Sequence, residues 1–233
     1  MKVYIQHQPT RSIVSVLALG PEFPLSQALH ENIERLNKIS DVFYILPTEY
    51  PGIDPEKFTS LYGGLGWMIS EGTVSCGVMG VIDYLQEIYP HQFAGFLIGH
   101  TNDLSEKDYK TDNILRLVAS DIVKPVFKPI RLSSEDLYEL YTRTPKTLWG
   151  EKIYPKEKEN MFARYTSDSP LVLLKLSVIR SLLGFWKDPD TRGWIETFIM
   201  DDPKYMLASL IKYLGIDIIE SNLEELEYGG SGS

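Results

Sequence analysis

With 233 residues, of which 43% are hydrophobic, 12% aromatic and 24% charged, the chain has the composition of a folded globular protein and not of a disordered or fibrous one. A formal net charge of −9 argues against sequence-independent binding to nucleic acid, which needs lysine and arginine to neutralise phosphates. The single cysteine, Cys76, excludes an intramolecular disulfide and leaves no cysteine-based zinc site, which fits a reducing, cytoplasmic compartment.

Met1-Lys2-Val3-Tyr4-Ile5 lacks the charged region and long apolar run of a signal peptide and reads directly as a strand. Lys2–Gln6 and Ser12–Leu19 are β-rich runs joined by a polar connection around Pro9. In Pro24–Leu36 the residues Leu25, Leu29, Ile33 and Leu36 recur at helical spacing, which predicts an amphipathic helix. Asp41–Leu46 is a nearly continuous apolar strand of the kind buried on both faces, ended by Pro47. Asp54-Pro55 starts a helix with an N-cap acid and a proline at its first position, and Gly63-Gly64 stops it. Residues 65–69 are a short strand candidate. Val74, Val78, Val81, Ile82, Leu85 and Ile88 predict a helix from about Thr73 to Tyr89, and Phe93–Ile98 a further buried strand. Ile114–Val118 and Ile122–Ile130 read as strands, the second edge-like because Pro125 and Pro129 cannot donate to a ladder.

After Ser133 the character changes. Ser133-Ser134-Glu135-Asp136 caps a helix to about Tyr141, and helices are expected near 170–186, 191–200 and 203–214. Between them, residues Thr142 to Thr166 carry six basic against three acidic residues, with aromatics interleaved. The expected fold class is therefore α/β: a mostly parallel, Rossmann-like sheet with helices on its faces, followed by a mainly helical C-terminal portion. The expected division is an α/β ligand-binding portion at 1–131, a mainly helical portion at 132–228 with a basic aromatic loop at 142–169, and a linker or tag remnant at 229–233. The apolar run from Leu171 to Trp186 is interrupted by Lys175 and Arg180 and is too short to cross about 30 Å of hydrocarbon, so no membrane partner is expected.

In open α/β sheets, ligands bind outside the carboxyl ends of the strands. Four such places are polar: Gln6-His7-Gln8 with Arg11, Gly20-Pro21-Glu22, Thr48-Glu49-Tyr50, and Gly99-His100-Thr101-Asn102-Asp103. If these strands are parallel neighbours, His7, Glu49, His100 and Asp103 converge on one crevice as acid–base groups, since histidine titrates near neutrality and carboxylates can be shifted there. The plainer reading is that strand-end loops are polar because they are exposed. His100 resists it best, because an apolar strand is followed there by five consecutive small or hydrogen-bonding residues.

The segment from Leu61 to Gly80 crowds glycines and hydroxyls where a strand feeds a helix. Ser70, Thr73 and Ser75 can each cap that helix, and Gly72 or Gly77 lets an anion approach the backbone. Glu71 repels a phosphate but suits a sugar hydroxyl or a developing cation at a glycosidic carbon. The plainer reading is a small-residue stripe, Gly72, Cys76 and Gly80, that allows close helix packing. Cys76 itself reads as a buried small residue, since no adjacent feature supplies a paired base. Glu71-Gly72-Thr73-Val74-Ser75-Cys76 resembles the Asp-x-Gly-Thr-x-x-Glu element of nucleoside 2-deoxyribosyltransferases over these few residues, with Cys76 where that family places its catalytic glutamate. That resemblance implies ribosyl or glycosyl transfer.

Lys146 and Trp149 in the basic aromatic loop are candidates for stacking on a base and contacting phosphate, or for closing over a substrate. The four histidines show no metal-ligand spacing, no cofactor is specified, and there is no Walker A motif, nucleophile elbow or complete dinucleotide fingerprint. The expected function is an enzyme, transferase or hydrolase, acting on a nucleotide or nucleotide-sugar by glycosyl or ribosyl transfer or by glycosidic-bond hydrolysis. In it His100, Asp103 and Glu71 are catalytic, and His7, Arg11, Glu49, Ser70, Gly72, Thr73, Ser75, Asn102, Lys146 and Trp149 bind substrate. The alternative is a non-catalytic acidic interaction protein, an inhibitor or a ligand-sequestering protein.

Overall fold

The computed structural model describes residues 2–19, 26–47, 54–70, 74–106, 111–133, 135, 165–167, 169–189 and 203–221. Its centre is a six-stranded sheet built from β1 (Lys2–Ile5), β2 (Ile13–Ala18), β3 (Asp41–Pro47), β4 (Gly66–Ser70), β5 (Gly95–His100) and a strand from the later half of the chain, Leu171–Lys175. A short hairpin of β6 (Pro129–Arg131) and β7 (Tyr165–Ser167) stands beside it, and Leu171–Lys175 is therefore β8. The order across the main sheet is β1-β4-β3-β2-β5-β8. The four inner strands β4, β3, β2 and β5 are mutually parallel, whereas β1 on β4 and β8 on β5 run antiparallel. The sheet is thus mixed, parallel at its centre with antiparallel edges.

The local chemistry of each crossover agrees with the sheet. Helix α1 (Gln27–Ile39) starts where the Ser26 hydroxyl accepts from the Leu29 N–H, and its apolar stripe Leu29, Ile33 and Leu36 is buried. Helix α2 (Pro55–Tyr62) is capped by the Asp54 carboxylate, which accepts from the N–H groups of Glu56 and Lys57, with Pro55 pre-set at the first position. On the same face of the sheet as α1, α5 (Thr111–Ala119) buries Ile114 and Leu117, against Leu17, Val42 and Leu97 of the strands. The opposite face, with Val16, Phe43, Ile45, Phe96 and Ile98, is covered by α3 (Val74–Ile88), α6 (Leu176–Lys187) and α7 (Pro203–Tyr213). A short helix, α4 (Thr101–Glu106), continues directly from β5.

This placement follows from the handedness of parallel crossovers. From β2 through β3 to β4 the chain steps in one direction across the sheet, with α1 and α2 on one face; to reach β5 it must step back past β2, and a right-handed connection then puts α3 on the other face. The reversal leaves β2 and β5 side by side; β5 is entered from the α3 face, and the chain leaves both strands toward the α1 face, β2 into α1 and β5 into α4 and α5.

Three sequence expectations are corrected here. Ile114–Val118 is not a strand but lies in α5: Ile114 and Leu117 are buried while Leu115 is 43% exposed, a spacing of three that only a helix buries on one side. Leu171–Lys175 does not begin a helix. Its four consecutive apolar residues alternate between the two cores, Leu171 and Leu173 on the α1 side and Val172 and Leu174 on the α3 side, as a strand buried on both faces requires. Of Ile122–Ile130, only the end joins a strand, while Val126 makes isolated bridges to Leu173 and Ile219. The expected helices to about Tyr141 and at 191–200 lie outside the described residues, Ser133 and Glu135 apart, as does the basic aromatic loop up to Arg164.

Two glycines test the packing. A Cβ at Gly99 would stand 2.7 Å from both the Leu171 side chain and the Pro170 carbonyl oxygen, so Gly99→Ala should lower the stability to urea by about 2–3 kcal/mol. Gly184 in α6 meets nothing within 4 Å, and Gly184→Ala should raise stability by about 0.5–1 kcal/mol in the same measurement.

Candidate functional site

The reversal of strand order is a topological switch point, and the crevice outside the carboxyl ends of the two strands that flank it is where ligands bind in this class of sheet. Backbone pairing sets Ala18 of β2 directly opposite His100 of β5. His100 is half-buried, and its Nδ1 accepts the N–H of Asn102 at 3.3 Å. A neutral imidazole that accepts at Nδ1 carries its proton on Nε2, which makes that atom the donor.

Thr101, Asn102 and Asp103 form the first turn of α4. The buried Asn32 of α1 donates through Nδ2 to the Leu104 carbonyl at 2.5 Å, which fastens α4 to α1. On the other side the Asp103 carboxylate meets the Lys204 ammonium, 2.8 Å from Oδ2. Lys204 sits in the first turn of α7 and also donates to the carbonyls of Ser169, at 3.2 Å, and Ser167, at 3.4 Å. The rim is therefore braced from both faces of the sheet, by Asn32 on one and Lys204 on the other.

The remaining expected residues separate into three groups. Ser70 ends β4, on the same rim as His100, with β3 and β2 between them, a separation of about 14 Å at ordinary strand spacing. It is buried, and a Cβ at Gly77 of α3 would come within 3.2 Å of its hydroxyl oxygen. His7 and Arg11 do not converge with His100. Because β1 runs antiparallel to β4, His7 follows β1 toward the opposite edge, and Arg11 precedes β2 there, its N–H donating to Asp41 at the start of β3. A six-residue strand of about 20 Å lies between that edge and the rim. His7 is exposed and its ring contacts the carbonyl of Gln8. Finally, Glu49, Glu71, Gly72, Thr73, Lys146 and Trp149, and the side chain of Ser75, lie outside the described residues. Cys76 is partly buried against the α3 core, and Gly77 makes the close approach to β4.

Sequence reasoning missed Lys204. One signal was present: a lysine in the first turn opposes the positive end of the helix dipole, an arrangement that calls for a compensating anion. Among the described residues, no group of three or more histidine, cysteine or carboxylate side chains is arranged to hold a metal ion. No described helix is long and apolar enough to cross a membrane.

The chain is similar to solved structures. A 4-diphosphocytidyl-2C-methyl-D-erythritol synthase aligns with 95% of this chain and 94% of its own, at 12% identity and a TM-score of 0.51, so the two share a fold. A cytidylyltransferase from Leptospira borgpetersenii serovar Hardjo-bovis aligns over 91% of this chain and 76% of its own, at 11% identity and a TM-score of 0.48. No protein-family model and no curated protein matches the chain by sequence.

The brace makes an asymmetric prediction. Asp103→Ala leaves a buried ammonium without its carboxylate and should cost about 3 kcal/mol of stability, whereas the double variant Asp103→Leu/Lys204→Met removes both charges of the pair and should cost about 1 kcal/mol. Urea denaturation of the two variants reads the difference directly.

Proposed function

We propose that the protein is a transferase that binds a nucleotide or nucleotide-sugar in the crevice at the β2/β5 switch point. The observation that carries this reading is the Ala18–His100 pairing, which brings the polar turn His100 to Asp103 to the carboxyl end of a reversed parallel sheet. The fold shared with a synthase named for a diphosphocytidyl compound supports a nucleotide as ligand.

Each described residue then has a chemical task. The Nε2–H of His100 donates to an oxygen of the phosphate or of the base. Asn102 holds that tautomer through its N–H, and Asp103 presents a carboxylate of fixed position to a ribose or sugar hydroxyl. An extended ligand lying along the rim reaches from β5 toward Ser70, and Glu71, Gly72 and Thr73, which follow it in the chain, receive the sugar or anionic end. Glycosyl transfer in this arrangement breaks the bond between the anomeric carbon and the nucleotide oxygen, which leaves with its electron pair, while an acceptor hydroxyl forms the new bond to that carbon and gives its proton to the departing phosphate. Lys146 and Trp149 close over the base and phosphate in the same reading.

Isothermal titration with nucleoside triphosphates and nucleotide-sugars tests the proposal. Binding should weaken by about tenfold in His100→Ala, the loss of one hydrogen bond in a sheltered site, and stay unchanged in Arg11→Ala on the opposite edge. Equal effects of both substitutions, or no binding of any nucleotide, would contradict it.

A further inference from the structure

The surroundings of Lys204 carry more than a brace. Its side chain is 4% exposed, and three oxygens from three separate places converge on its ammonium: Asp103 Oδ2 of α4, the Ser167 carbonyl at the end of β7 and the Ser169 carbonyl before β8. A carboxylate and carbonyl groups are the hard donors that elsewhere bind divalent ions such as Mg²⁺, Ca²⁺ and Mn²⁺. Here the ammonium of one lysine meets these acceptors. A buried ammonium keeps such partners, because withdrawing it from them exposes its full desolvation penalty. A divalent ion at Asp103 would also face two positive neighbours, the ammonium and the N-terminal end of α7.

We infer that Lys204 is the resident cation of this crevice, filling the oxygen cage of Asp103, Ser167 and Ser169, and that Asp103 is thereby withheld from metal ions. The carboxylate that a nucleotide's phosphates would otherwise repel is already neutralised by the chain itself. Only that last consequence rests on the proposed function; the cage and its occupant do not.

Manganese alone, with no nucleotide present, is the probe. Mn²⁺ binding followed by electron paramagnetic resonance is compared for the wild type, Lys204→Ala, Asp103→Asn and the double variant, the alanine emptying the space that the ammonium fills. Lys204→Ala should gain a Mn²⁺ site at least about tenfold tighter than any in the wild type, and the double variant should lose it. The wild type and Asp103→Asn should give the same isotherm. A wild-type site abolished by Asp103→Asn would overturn the inference, as would the lack of any gain in Lys204→Ala. Should Lys204→Ala fail to fold, the comparison of wild type with Asp103→Asn still decides: identical isotherms uphold the inference and a lost site refutes it. Because no nucleotide enters the assay, a chain that binds none leaves this result intact.

Discussion

The constraint on which the rest of the structure depends is the handedness of its parallel crossovers. Two consecutive connections carry the chain from β2 to β4 over one face; the next must return past β2, and right-handedness sends it over the other. Nothing about His100 in isolation makes it part of a site. The returning strand docks beside β2 in the register that sets residue 100 against residue 18, which puts the turn from His100 to Asp103 on the rim where the strand order reverses.

The rim is kept in shape by polar groups that are costly to bury without partners. Asn32 and Lys204 reach the same six-residue helix from opposite layers, one ending on the Leu104 carbonyl and the other on the Asp103 carboxylate. Lys204 in turn depends on α7, whose residues from Pro203 to Ile211 are all buried, with Leu207 and Ile211 fully so. Core packing thus fixes the helix, the helix fixes the ammonium, and the ammonium fixes the carboxylate at the rim. A second lysine shows the contrast: Lys175, at the far end of β8, donates to the Ser120 carbonyl at the end of α5, where burial holds its ammonium below the usual lysine range and Asp121 partly offsets this. There the cation caps a helix C-terminus.

Much of the architecture is legible in local pattern. The stripe Leu29, Ile33 and Leu36 with Ser26 before it, and the pair Asp54-Pro55, specify helices through spacing and capping that act within a few residues. Leu171–Lys175 misled because a short apolar run has no period of its own; only its place beside β5 distinguishes strand from helix. Ile114–Val118 misled in the reverse sense, its β-branched residues outweighing a spacing of three. The site was half legible. His100, Asn102 and Asp103 stand out as a polar cluster after an apolar strand, but the direction of β1, which sends His7 to the other edge, is a long-range property of pairing with β4. Lys204 is more than a hundred positions from Asp103 and shares no local pattern with it.

The most direct test of the switch-point crevice is the mapping of nucleotide-induced chemical-shift changes on the amide spectrum of the ¹⁵N-labelled protein. The account predicts that the perturbed amides cluster at Leu19, His100 to Asp103 and Lys204, with Ser70 responding to longer ligands. Perturbations centred on His7 and Arg11, or spread without reference to the rim of β2 and β5, would contradict it.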